Sequence, residues 1–128
     1  MTALADTSVF IAREQGRALV PPAVEDEEIA VSVVSVAELR LGVLLADDVG
    51  SRSQRLATLR LAEELEPLPI DDAVGVAWAR LVASLRAAGR RMPINDSWIA
   101  ATALTHNMAV VTQDSDYDDI PGLRVTKV

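Results

Sequence analysis

The chain has 128 residues, a formal net charge of −7, half of its residues apolar and only 3% aromatic. That length supports one domain with a core of Ala, Val, Leu and Ile, and it is too short for a core plus an appended domain. The acidic balance argues against binding nucleic acid through general positive charge, and the absence of cysteine excludes disulfides, thiolate metal sites and cysteine nucleophiles.

Met1 to Ala5 is an apolar run that reads as a strand, and the Asp6-Thr7-Ser8 cluster after it reads as a helix start. A short helix is expected over Val9–Glu14 and a loop over Gly16–Glu28, which holds Pro21-Pro22 and an acidic stretch. Ile29–Val34 is rich in β-branched residues and predicts a buried strand. Ser35–Ala46 predicts a helix that is apolar nearly all round, as buried or interface helices are. A turn-rich break follows at Asp47–Ser53, then an amphipathic helix over Arg55–Glu66. Pro67–Ile70 is long enough for an edge strand at most.

Val74, Trp78, Leu81 and Leu85 recur at i, i+4, i+7 and i+11, a helical period that Gly89 ends. Pro93-Ile94-Asn95 opens another helix, Asp96–His106. Met108–Thr112 and Leu123–Val128 predict the last two strands. Alternating strands and helices in this order imply an α/β fold with a mostly parallel sheet covered on both faces. Nothing near the N-terminus has the form of a signal peptide, and no run of 18 apolar residues is free of charge, so a soluble intracellular protein is expected.

In open α/β sheets, ligands bind beyond the carboxyl ends of the strands. Asp6 follows the first strand, Asp114 and Asp116 follow Met108–Thr112, Glu38 lies one helical turn after Ile29–Val34, and Asp96 is in the first turn of its helix. If the strand ends converge, Asp6, Glu38, Asp96 and Asp114 share one cleft, where mutual repulsion calls for a cation. His106 is the only histidine, so zinc sites built on several histidines are excluded and oxygen ligation of Mg²⁺ or Mn²⁺ is expected. Such an ion suits phosphodiester hydrolysis by activating water and stabilising phosphoryl charge. Simpler roles stand beside this one: N-capping for Asp6 and Asp96, solvated turn residues for Asp114 and Asp116, and a buried arginine pair for Glu38.

Four segments, Leu4-Ala5-Asp6-Thr7-Ser8, Ser35-Val36-Ala37-Glu38-Leu39, Asn95-Asp96-Ser97-Trp98 through Ala103, and Val110-Val111-Thr112-Gln113-Asp114-Ser115-Asp116-Tyr117, together resemble the PIN-domain family, and within it the VapC-type toxins of bacterial toxin–antitoxin pairs. The resemblance covers essentially the whole chain, residues 1–128, as a single domain. It implies a PIN-like three-layer α/β/α sandwich. It matches Asp6, Glu38, Asp96 and Asp114 to an acidic catalytic quartet that binds Mg²⁺ or Mn²⁺, Asp116 to a further metal-binding position, and Thr7, Ser8 and Thr112 to supporting hydroxyls. It implies a cytoplasmic endoribonuclease acting on single-stranded or structured RNA by metal-activated water, a homodimer, and inhibition by a cognate VapB-type antitoxin. Tyr117 departs from the pattern, which often has Phe there.

Two other readings compete. A receiver-type phosphorylation domain is also α/β with acidic strand ends, but it needs a lysine after a late strand, and the only lysine is Lys127 at the chain's end. A catalytically inert PIN-like protein-binding module would keep the fold without the chemistry. Beyond the quartet, Arg86, Arg90 and Arg91 cluster before Asp96 and are candidates to hold RNA phosphates or antitoxin carboxylates; a solvated helix end is the plainer reading. Trp78 and Trp98 read as packing residues, with Trp98 close enough to Asp96 to shape the site's wall. His106 reads as structural. The Ser35–Ala46 helix is expected to contact another chain, a second copy or an antitoxin helix.

Overall fold

The computed structural model describes residues 2–17 and 28–128. They form β1 (Thr2–Ala5), α1 (Thr7–Glu14), β2 (Glu28–Val31), α2 (Val33–Leu44), α3 (Val49–Glu63), α4 (Asp72–Ala87), α5 (Ile94–Thr105), β3 (Ala109–Thr112) and β4 (Val125–Lys127). Most of the expected Gly16–Glu28 loop lies outside the described residues. The sheet runs β2-β1-β3-β4, and every neighbouring pair is parallel.

Successive strand residues point to opposite faces, and this alternation builds two cores. Ala3, Ala5 and Val111 pack with Val9, Phe10, Val36, Leu39 and Leu59 from α1, α2 and α3. Leu4 and Val110 pack on the other face with Leu81, Leu85, Ile99 and Tyr117, so α4 and α5 cover that side. The result is a three-layer α/β/α sandwich whose central strands are short apolar runs, as strands buried on both faces require.

Several expected boundaries move, each for a local reason. The strand expected to Val34 stops at Val31, because Ser32 caps α2 by accepting from the Val34 N–H at 3.0 Å. α3 begins at Val49 inside the expected break, because Asp48 accepts from the Ser51 N–H at 2.8 Å and turns a turn-like sequence into a helix start. Pro67–Ile70 is not a strand. Pro67 and Pro69 lack N–H donors, so only Leu68 bridges to Ser32. The last strand is shorter than Leu123–Val128.

The helix expected to be apolar all round is α2. It buries Ser35, Val36 and Leu39 and leaves Leu41 and Leu44 exposed, with Leu44 at 74%. Leu45, Val49 at the start of α3, and Leu61 further along it are exposed too.

Candidate active site

β1 and β3 are neighbours inside the sheet, and acidic residues follow both at their C-terminal ends. Asp6 continues the ladder through its backbone N–H, which donates to the Val111 carbonyl at 3.0 Å. Its side chain caps α1, accepting from the Ser8 N–H at 3.0 Å. Capping does not exhaust it. The carboxylate is 2% exposed. Ser8 Oγ donates to Oδ1, and Thr112 Oγ1 donates to Oδ2 at 2.8 Å. These hydroxyls in turn accept from the Gln113 N–H at 3.0 Å and the Asp114 N–H at 2.9 Å. Two hydroxyls thus tie Asp6 to the backbone that carries Asp114. Burial raises the Asp6 carboxyl above its ordinary pKa; the Ser8 and Thr112 hydrogen bonds oppose that rise, and the Asp114 charge adds to it.

α5 begins at Ile94, with Pro93 as its cap residue and no side-chain cap bond. Asp96 is therefore inside the first turn, which removes the capping role considered for it. One oxygen each from Asp96, Asp114 and Asp116 lie within 4.8 Å of one another. Burial, and then the neighbouring Asp116, push the Asp96 carboxyl up to about 7, against the pull of a 3.2 Å hydrogen bond from the Tyr117 hydroxyl. Tyr117 is fully buried. Burial and the charges of Asp6, Asp96 and Glu38 hold its hydroxyl protonated far above the usual phenol range, so it remains a donor at physiological pH.

Glu38 is half-buried on α2. Thr7 Oγ1 donates to its Oε1 at 2.7 Å, and Ser35 Oγ lies 3.0 Å from the same hydroxyl. The arginine partner considered for Glu38 is not found: among the described residues the ion pairs are Arg40–Glu63 and Lys127–Asp118. Glu38 and Asp6 fall outside the tight group of three carboxylates. Of the four carboxylates expected to converge, Asp96 and Asp114 lie closest and are joined by Asp116, while Asp6 and Glu38 act on the same region through charge.

A hard divalent cation fits this donor set. Every donor in the cluster is a carboxylate oxygen, and the charged groups that raise the Asp96 pKa are other carboxylates, Asp116 and Asp6.

Two residues have roles that the sequence reading missed. Tyr117, noted only as a departure from Phe, supplies a donor to Asp96; a buried tyrosine hydroxyl needs a partner, and that was the available signal. Arg90 is committed to structure, donating to the Asp119 and Asp118 carbonyls at 2.7 and 2.8 Å. Trp78 and Trp98 pack as expected: their rings stack with centroids 4.3 Å apart and planes 6° apart.

The PIN-domain profile matches residues 3–123. The chain belongs to the PIN-domain family. That membership sets aside the receiver-type reading. This PIN domain is 53% identical over 126 residues to ribonuclease VapC4 of Mycobacterium tuberculosis, covering 98% of this chain and 96% of that one. It is 49% identical over 117 residues to ribonuclease VapC5 of the same organism, covering 91% and 86%. Its fold is similar to a crystal structure of VapBC-5, a member of the VapBC family of toxin–antitoxin systems from Mycobacterium tuberculosis, with a TM-score of 0.88 and 42% identity over 99% of this chain and 98% of that one. PIN-domain nucleases are metal-dependent, and the acidic cluster of this one offers the donors.

Proposed function

We propose that this PIN domain is a Mg²⁺- or Mn²⁺-dependent endoribonuclease and the toxin of a toxin–antitoxin pair. The observation that carries the reading is the convergence of Asp96, Asp114 and Asp116 within 4.8 Å at the edge where β1 and β3 end. Those three carboxylates would hold the cation, and Asp6 and Glu38 complete the acidic set. When bound, the cation supplies a water nucleophile at neutral pH and neutralises charge on the scissile phosphate. The protein's own contribution is placement. Ser8 and Thr112 fix Asp6 and the backbone of Asp114, Thr7 fixes Glu38, and Tyr117 aligns Asp96. Groups held in position before substrate arrives lose little entropy during reaction.

The names of the relatives, ribonuclease VapC4 and ribonuclease VapC5, support RNA as the substrate. The VapBC-5 structure supports an antitoxin as partner. The exposed Leu41, Leu44 and Leu45 at the end of α2 and Val49 at the start of α3 support a protein contact, with an antitoxin segment or a second copy in a homodimer. Among the described residues no helix is long and apolar enough to cross a membrane, and the reading places the chain in the cytoplasm with its RNA.

The test is incubation of the purified chain and its Asp96→Asn variant with single-stranded and structured RNAs, in Mg²⁺ and in EDTA. Cleavage by the parent in Mg²⁺, lost both in EDTA and in the variant, is the expected result. Cleavage that persists in EDTA or in Asp96→Asn rejects the reading.

A further inference from the structure

We infer that the groove between the C-terminal end of α4 and the first turn of α5 seats the single-stranded RNA flanking the scissile phosphate, with Arg86 and Arg91 on its phosphates and Trp78 walling a base. This rests on the nuclease reading above and names the substrate contacts of that site.

The groove encloses 560 Å³ and is lined by Trp78, Leu85, Arg86, Arg91, Ile94 and Ser97 among others. That volume is in the range of small-ligand sites, a fit for a base with its sugar. Ile94 and Ser97 line the groove, while Asp96, between them in the same helical turn, belongs to the carboxylate cluster. A single turn of α5 therefore divides the groove from the acidic site. RNA crossing that turn would present successive phosphates to arginines on one side and to the carboxylate cluster on the other.

The three arginines at this corner are not equivalent. Arg90 spends its guanidinium on the Asp118 and Asp119 carbonyls, fastening the groove's rim to the loop that carries Asp114 and Asp116. Arg86 and Arg91 are exposed, and among the described residues the ion pairs form elsewhere. In a chain of net charge −7, two arginines that line one groove and, among the described residues, form no ion pair are a local feature suited to an anion. Guanidinium groups bind phosphate bidentately. An acidic peptide would satisfy that charge equally well, but the groove also has a rigid aromatic wall. Trp78 is stacked on Trp98, and its Nε1–H donates to Ser97 Oγ at 2.9 Å. Fixed aromatic surface beside arginines is how proteins hold unpaired bases.

The experiment compares the parent, Arg86→Ala/Arg91→Ala and Arg60→Ala, whose arginine is exposed on α3 away from the groove. Binding of a fluorescein-labelled single-stranded RNA is followed by anisotropy across a salt series, and cleavage of the same RNA is followed with Mg²⁺. Calorimetric Mn²⁺ affinity reports whether each variant keeps the folded acidic site. In the double variant, KM is expected to rise about tenfold or more with a smaller change in kcat. The slope of log affinity against log salt is expected to shrink by roughly 0.7 for each phosphate no longer neutralised by an arginine. Arg60→Ala and the Mn²⁺ affinities should match the parent. Unchanged KM and salt slope in the double variant, with the parent cleaving, would overturn the groove and leave the nuclease reading standing. A parent that cleaves no RNA overturns the nuclease reading itself, and the groove with it.

Discussion

Thr112 Oγ1 donates to Asp6 Oδ2 at 2.8 Å and accepts the Asp114 N–H at 2.9 Å, so one hydroxyl joins the ends of β1 and β3. The Asp6 carboxylate is 2% exposed and has little water to replace a lost donor. Thr112→Val keeps the shape and removes both bonds. It is expected to cost about 1–3 kcal/mol of stability, the range for leaving a buried polar group unsatisfied. It should also weaken Mn²⁺ binding, since Asp114 loses its backbone anchor. Denaturant unfolding and calorimetric titration check the two effects. Stability within experimental scatter of the parent would show that the hydroxyl bridge contributes nothing.

Tyr117→Phe deletes one oxygen from a fully buried ring and leaves the packing in place. The lost hydrogen bond to Asp96 Oδ1 lowers that carboxyl's pKa, so its removal moves the pKa of Asp96 further above about 7. Metal binding requires the deprotonated carboxylate. The pH at which Mn²⁺ affinity reaches half its alkaline value should therefore rise in the variant, with about 1 kcal/mol or less lost in stability. A midpoint that stays put or moves to lower pH would contradict the assigned role of the hydroxyl.

Much of this arrangement is legible in the chain, for physical reasons. Asp6-Thr7-Ser8 after a short apolar run marks both a helix cap and a strand end, and the structure uses Asp6 as both. Four-residue runs buried on two faces identify the central strands β1 and β3. The start of α3 is hidden because Asp47-Asp48-Val49-Gly50-Ser51 has turn composition, and only the Asp48 side-chain bond to Ser51 decides for a helix. The ranking of the carboxylates is hidden as well. Spacing places Asp6, Glu38, Asp96, Asp114 and Asp116 near strand ends, but which oxygens converge depends on the loop after β3. Adjacent arginines cannot be told apart by composition, since Arg90 is committed by carbonyls 28 and 29 residues further along.

The raised carboxyl pKa values have a consequence for stability. Asp96, pushed from 3.8 up to about 7, and Asp6, raised in the same direction, bind protons more tightly in the folded state than in the unfolded chain. The unfolded state therefore holds fewer protons across that window, and stability of the metal-free protein falls as pH rises from about 4 to about 7. In EDTA, the melting temperature should be higher at about pH 6 than at about pH 8. Asp96→Asn should flatten that dependence and raise metal-free stability at the higher pH, because it removes a like charge from the cluster. Saturating Mn²⁺ binds the deprotonated form and should stabilise the parent most at the higher pH. A metal-free melting temperature that rises with pH across this range would refute the assignment.

Arg90 holds the loop after β3 from outside, through two carbonyls of a segment in which Asp119 has a left-handed backbone, φ 57°. Aspartate adopts that conformation more readily than most residues other than glycine, and the Arg90 clamp holds it in place. Asp116 and Tyr117 precede the clamped carbonyls directly, so the clamp bears on both a proposed metal ligand and the donor to Asp96. Arg90→Ala is expected to weaken Mn²⁺ binding by about tenfold and to cost about 1–2 kcal/mol of stability. Arg90→Lys, which keeps the charge without the planar fork, should recover only part of the loss. Calorimetry gives the affinity, and amide hydrogen exchange over residues 113–123 gives the loop's protection. The clamp predicts that affinity and protection fall together. Faster exchange in the loop with Mn²⁺ affinity retained would separate them, leaving Arg90 a stabiliser of the loop with no bearing on the acidic site.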